Sequence, residues 1–375
     1  MDGYRTAGIR KSRGSRSPSL QAWSEEFMAR QAHQSHIQQQ LEQRKQIIAS
    51  LQAAQEEAFR ELQTQWLNAP LASSLTTVPE VLACLEARGC ANLTKQLDES
   101  SCSRYPVSSG GFGDVYRGSL LSGTQIAIKM LKLYADAEEG NQRCLKYAAR
   151  ELYTWSKCQH RNVQRLLGVV EFREHIGMVS LWETNGDLTS YVHQIPQTKD
   201  RHNMCIQIAR GLSYLHEQGM IHGDLKASNI LISEDGTPLL SDFGNAKLNE
   251  YSLQFTDSSS RTTISVRWTA PEILDGRATY STAADVYSLG MTILETLTGK
   301  VPWYGIAETA VMVAVLIKKQ HPKRPIDRLP LDPVYADHLW TLMERCWTFE
   351  LQDRPDAAQV LMVLQDVWSF SDMSS

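Results

Sequence analysis

The run His222-Gly-Asp-Leu-Lys-Ala-Ser-Asn229 is followed, eighteen positions beyond Asp224, by Asp242-Phe243-Gly244. Between them stand Ile230-Leu231-Ile232 and Leu239-Leu240, separated by Glu234-Asp235-Gly236. An Asp-Gly turn between two short apolar runs predicts a hairpin. That hairpin folds the chain back on itself and sets Asn229 and Asp242 at the same end of a two-stranded ribbon. A carboxamide and a carboxylate so placed are oxygen donors that suit a hard divalent cation. Asp224 adds a carboxylate able to orient a hydroxyl, and Lys226 adds an ammonium beside it.

Phosphoryl transfer needs this set, because there the protein does little covalent chemistry and works by positioning and charge neutralisation. The surroundings agree. Upstream lies Ser108-Ser-Gly110-Gly111-Phe112-Gly113-Asp-Val115, a glycine-rich turn whose backbone can approach phosphates closely. Lys129 follows fourteen residues after Val115, at the end of the alternating Ile126-Ala127-Ile128-Lys129 strand pattern. A lysine among such neighbours needs a partner, since an unpaired desolvated ammonium is costly. Glu151 can supply one from a helical stretch spanning 145–158. Downstream come Trp268-Thr-Ala270-Pro271-Glu272, then Ala284-Asp285-Val286-Tyr287-Ser288-Leu289-Gly290, and Cys346-Trp347 leading to Arg354-Pro355.

In this order and spacing the chain resembles the eukaryotic protein kinases over residues 101–370, and within them the tyrosine-kinase-like group. The resemblance implies an α+β, bilobal fold: a small β-rich lobe with one main helix over 101–183, and a larger helical lobe over 184–370. It also implies ATP and Mg²⁺ as cofactors. Gly110, Gly111, Phe112 and Gly113 would cover the triphosphate. Lys129, paired to Glu151, would hold the α- and β-phosphates. Asp224 would orient the attacking hydroxyl, Lys226 would neutralise the moving γ-phosphoryl group, and Asn229 and Asp242 would hold Mg²⁺. Val115, Ala127 and Leu231 would lie against the adenine. Leu181, Trp182 and Glu183 would form the lobe connection, with Ser180 at the back of the pocket and Asp187 toward the ribose. Glu272 and Arg354 are expected to pair in the large lobe, and Asp285 to bind backbone near His222.

Lys226 and Ser265 match the pattern of relatives acting on serine and threonine, so protein Ser/Thr hydroxyls are the expected acceptors, with dual specificity as an alternative. A pseudokinase scaffold is a rival of another class. The presence of Lys129, Glu151, Asp224, Asn229 and Asp242 speaks against it. A small-molecule kinase is disfavoured by Ala270-Pro271-Glu272 and Ser265. Two departures stand out: Ser108 where the first glycine is usual, and Gly223 where an arginine commonly precedes the aspartate. That arginine ordinarily pairs with a phosphate on the activation loop. Residues 245–264 still carry Tyr251, Thr256, Ser258, Ser259, Ser260, Thr262 and Thr263.

The rest of the chain is organised by composition. Residues 1–20 hold five Lys/Arg against one Asp and read as a basic disordered tail. From 21 to 69 there is neither Gly nor Pro and there are twelve Gln, which predicts one long amphipathic helix. Its 4-3 apolar spacing at Ile37, Leu41, Ile48, Leu51, Ala58 and Leu62 fits a coiled coil. Self-association, a partner helix, or packing on the kinase part would each bury the stripe. Residues 70–100 read as a linker with a short helix over 78–87. A net charge of −4 gives no signal for nucleic acid, and the longest apolar run is too short for a bilayer. Seven scattered cysteines without a Cys-x-x-Cys pair fit a reducing compartment. A cytoplasmic location is therefore expected, with the nucleus as the alternative.

Overall fold

The computed structural model describes residues 38–40, 43–44, 77–110, 113–130, 152, 155–195, 199–243, 265–325, 329 and 333–373. The expected tail over 1–20, most of the expected helix over 21–69, Gly111, Phe112, Glu151, Gly244 and residues 245–264 lie outside the described residues. Residues 38–40 and 43–44 are helical and exposed.

The small lobe is an antiparallel sheet. Its strands are β1 (Leu97–Asp98), β2 (Ser108–Gly110), β3 (Gly113–Leu120), β4 (Gln125–Met130), β5 (Leu166–Phe172) and β6 (His175–Leu181). They run in the order β1-β3-β4-β6-β5, with β2 paired to β3. Period-two patterning sets which face of β4 is buried. Ile126, Ile128 and Met130 enter one apolar cluster with Val170, Phe172 and Val179, while Ala127 and Lys129 alternate with them and stay half-buried. Helix α1 (Val78–Glu86) precedes the sheet. The stretch read as a linker therefore carries its short helix, and from α1 onward it forms part of the small-lobe core.

The large lobe is built from α2 (Leu188–Tyr191), α3 (Lys199–Glu217), α4 (Pro271–Leu274), α5 (Thr282–Thr298), α6 (Glu308–Met312), α7 (Pro333–Cys346) and α8 (Ala357–Met373). The ribbon expected from the Asp-Gly turn is present as β7 (Ile230–Ile232) and β8 (Pro238–Leu240). Helix α5 is buried from Ala284 to Thr298, as befits a helix at the centre of a lobe rather than on its surface. Its buried hydroxyls remain satisfied: Ser288, Thr292, Thr296 and Thr298 donate to carbonyls one turn back at 2.7–3.2 Å. Ser281 caps its start, accepting from the Ala284 N–H.

Glu272 on α4 and Arg354 form the expected ion pair. It is bidentate, at 2.7 and 2.8 Å, and Arg354 also donates to the carbonyls of Thr348 and Ala283. Both side chains are almost fully buried. Breaking one side of such a pair strands a charge, so Arg354→Met is expected to lose about 3–5 kcal/mol of stability in denaturant titration. A loss below about 1 kcal/mol, the range of exposed pairs, would refute that role.

Candidate active site

The loop from His222 to Asn229 is tied to α5 at two points. The Asp285 carboxylate accepts from the backbone N–H of His222 at 2.7 Å and of Gly223 at 2.9 Å, and contacts His216 Nε2 at 2.9 Å. Three turns later on the same helix, Glu295 Oε2 accepts from the Ala227 N–H at 3.0 Å and the Trp268 indole at 2.9 Å. Two buried carboxylates thus fix both halves of the loop through backbone groups that would otherwise be unpaired. Gly223 sits at φ +80°, a region costly for other residues, so glycine relaxes the turn just ahead of Asp224.

Within this frame the chemical groups meet. Lys226 Nζ donates to Asp224 Oδ2 and to Ser265 Oγ, both at 2.7 Å. Asn229 Nδ2 donates to Asp224 Oδ2 at 2.9 Å and to the Asp224 carbonyl at 2.8 Å. These bonds engage one carboxylate oxygen. Among the described residues no hydrogen bond engages Asp224 Oδ1, which leaves it able to accept from a hydroxyl. The amide of Asn229 is used, so its Oδ1 is the end able to face a cation.

The β7–β8 ribbon brings the second carboxylate across. Ser241 donates from both N–H and Oγ to the Asn229 carbonyl at 3.0 Å, and Asp242 follows directly. Asp242 takes φ +58°, a strained conformation for a residue with a side chain. Its Oδ1 lies 2.6 Å from Lys129 Nζ. Desolvation alone would raise this carboxyl, but the Lys129 ammonium, with His222 and Lys226 beyond it, holds it below the usual carboxylate range. Lys129 therefore has a described carboxylate partner in Asp242, while the expected partner Glu151 lies outside the described residues. A cation here would share two protein ligands, Asn229 and Asp242, with phosphate and water oxygens, a donor set that fits Mg²⁺.

The expected nucleotide pocket is assembled by strand register. Val115 pairs with Lys129 across β3–β4, Ala127 with Ser180 across β4–β6, and Leu231 bridges to Asp187. Trp182 donates its N–H to the Gln125 carbonyl at 3.1 Å, and its ring receives the Arg117 guanidinium at 5.1 Å. Burial raises the Glu183 carboxyl, a rise that a hydrogen bond with Gln164 opposes. Asp187, expected near a ribose, spends Oδ1 on capping α2 at the Ser190 N–H, 2.9 Å away. Gly110 ends β2 opposite Gly113.

Sequence reasoning missed several supports. Trp155 donates its indole N–H to the Gln164 carbonyl at 2.7 Å and meets the Phe243 ring edge-on at 5.4 Å. Phe243 in turn lies 6.3 Å from the His222 ring. Trp155 stands four residues after Glu151 in a stretch read from the sequence as helical, and that spacing was the available signal. Gln164 also donates to the Leu181 carbonyl at 3.1 Å, linking this stack to the lobe connection. Glu295, with Asp285 one of two acids on α5, was flagged by nothing except its charge.

Burial pushes the Glu295 carboxyl up to about 7, against the opposing pull of the Ala227 N–H, the Trp268 indole and Lys226. A carboxyl raised by folding contributes stability that is complete below its unfolded value, about 4.3, and lost as pH rises through about 7. Glu295→Gln keeps an oxygen acceptor for both bonds without the charge. Its stability relative to wild type is expected to rise between pH 5 and 8, by on the order of 2–3 kcal/mol. A difference in melting temperature that stays flat across that window would contradict this.

Comparison with known proteins gives a consistent picture. A family model described as protein tyrosine and serine/threonine kinase matches residues 104–364. Serine/threonine-protein kinase STY46 of Arabidopsis thaliana is 31% identical over 269 residues, covering 70% of this chain and 43% of that protein. Serine/threonine/tyrosine-protein kinase HT1, also of Arabidopsis thaliana, is 26% identical over 266 residues, covering 69% and 64%. Serine/threonine-protein kinase BCK1/SLK1/SSP31 of Saccharomyces cerevisiae is 28% identical over 260 residues, covering 68% and 17%. The match to STY46 thus spans less than half of that relative's length.

Proposed function

The chain belongs to the protein tyrosine and serine/threonine kinase family, and from this we propose that it transfers the γ-phosphoryl group of ATP, with Mg²⁺, to Ser and Thr hydroxyls of protein substrates. The observation that carries the reading is the closed set Ser265–Lys226–Asp224–Asn229 facing the Lys129–Asp242 pair. Asp224 Oδ1 orients the acceptor hydroxyl and receives its proton. Lys226 is fixed between Asp224 and Ser265, where it meets charge developing on the transferred group. Lys129, paired with Asp242, would also hold the nucleotide phosphates, and Asn229 and Asp242 would supply oxygens to Mg²⁺. When bound, Mg²⁺ neutralises and aligns the phosphates.

Incubation with Mg²⁺-ATP and generic protein substrates, followed by phosphoamino-acid analysis, tests this. Phosphoserine and phosphothreonine are expected. Added phosphotyrosine would mean dual specificity, as the name of HT1 says of that protein. No transfer at all would favour the pseudokinase scaffold.

Gly223 bears on regulation. Without a guanidinium beside Asp224 there is no charge there waiting for a loop phosphate, so phosphatase-treated protein is expected to retain most of its activity. A collapse of more than about tenfold, about 1.4 kcal/mol in the barrier, would show that loop phosphate still controls turnover.

Residues 21–69 are proposed to form a helix that self-associates or binds a partner helix, and sedimentation of the full chain at varied concentration tests the former. A cytoplasmic location, with the nucleus as alternative, is proposed as well. The six described cysteines are present as thiols, and no helix among the described residues is long and apolar enough to cross a membrane. Imaging of the tagged chain decides between the two compartments.

A further inference from the structure

Helix α1 and residues 90–93 precede the stretch matched by the family model, yet they complete the small-lobe core. Val81, Leu82 and Leu85 pack in one cluster with Leu152, Val169 and Ile176. Beyond the helix the chain runs along the open edge of β5. The Val169 N–H donates to the Ala91 carbonyl and the Leu93 N–H to the Val169 carbonyl, both at 2.8 Å. Gly168 makes this approach possible, because a Cβ there would lie 2.3 Å from the Ala91 oxygen. Lys157, on the same helical turn as Trp155, donates to the Arg88 carbonyl at 3.3 Å.

Trp155 belongs to both cores. It packs against the α1 cluster on one side and against the large-lobe cluster containing Phe243 on the other. Asp242, adjacent to Phe243, holds a strained backbone, and such strain persists only while neighbouring packing over-determines it.

We propose that α1 and residues 90–93 form a built-in brace that positions Trp155, and through Phe243 the Asp242 carboxylate, so that this segment sets turnover. The proposal rests on the kinase reading above, with α1 residues acting as positioning residues that touch no substrate. Removing packing behind Trp155 frees the indole to shift outward. Phe243 then loses its edge contact, and the left-handed backbone at Asp242 loses the packing that holds it.

The test compares full-length Leu85→Ala and Gly168→Ala with Leu97→Ala, which opens a hole in the separate cluster around Ile126 and Ile128. Melting temperature, kcat, KM for ATP and amide exchange of the peptide spanning 236–243 are measured for each. Leu85→Ala is expected to lose at least about tenfold in kcat, with faster exchange at 236–243. Leu97→Ala, at a similar loss of melting temperature, is expected to stay within about twofold of wild-type kcat, and Leu85→Met to recover the activity. Equal kcat losses in Leu85→Ala and Leu97→Ala, or unchanged exchange at 236–243, would overturn the brace. Should Leu85→Ala fail to fold, Gly168→Ala supplies the same comparison, since it displaces residues 91–93 without touching Trp155. A wild-type chain that transfers no phosphate would count against the kinase reading, while amide exchange would still decide the brace.

Discussion

Lys129→Met is expected to keep the fold and to lose phosphoryl transfer by about 10²-fold or more, the scale seen when one preorganised electrostatic contact is deleted. The physical basis is the 2.6 Å pair with Asp242. Methionine keeps the apolar stem, which alternates with Ile128 and Met130 along β4, and removes only the ammonium. Two effects then add. The nucleotide phosphates lose their fixed cation, and the Asp242 carboxyl loses the charge that holds it below the usual range. Turnover under saturating Mg²⁺-ATP, with a melting curve to establish folding, checks this. Wild-type-like turnover would remove Lys129 from the mechanism.

Asp242→Asn is expected to cost a similar or larger factor, about 10²–10³-fold in turnover, and to shift the Mg²⁺ requirement to higher concentration. A neutral amide is a poorer ligand for a hard cation beside a triphosphate. It also leaves the Lys129 ammonium facing a dipole rather than a charge, which weakens the contact. The distinguishing measurement is a Mg²⁺ titration at fixed ATP. If the midpoint and the plateau both match wild type, Asp242 is not a metal ligand.

Much of the site was legible because its elements are local. The Asp-Gly turn alone implied the β7–β8 ribbon, and the ribbon alone implied that Asn229 and the residue after Ser241 share one end. The strand over 126–129 and the helices ending at Glu217 and Thr298 follow from apolar periodicity and from turn or cap residues next to them. The Glu272–Arg354 pair was expected from the family resemblance and is present in full. Less legible were groups whose roles come from long-range packing. Gln164, 17 residues from the Leu181 carbonyl it donates to, carried no local mark. Residues 70–100 read as a linker because nothing in them suggests chemistry, and the described part, 77–100, contributes apolar area, edge hydrogen bonds to β5 and strand β1 paired to β3.

The sequence by itself determined the fold class and the two lobes, because hairpin, strand and helix signals act within a few residues, and through the family resemblance it nominated the groups proposed to react. Tertiary structure alone decided that Lys129 pairs with Asp242, 113 positions away. It likewise decided that Asp285 and Glu295 pin the loop from α5, and that α1 closes the small-lobe core behind Trp155. Those contacts depend on how the elements pack against one another, and a buried charge or apolar face accepts whichever partner that packing brings within reach.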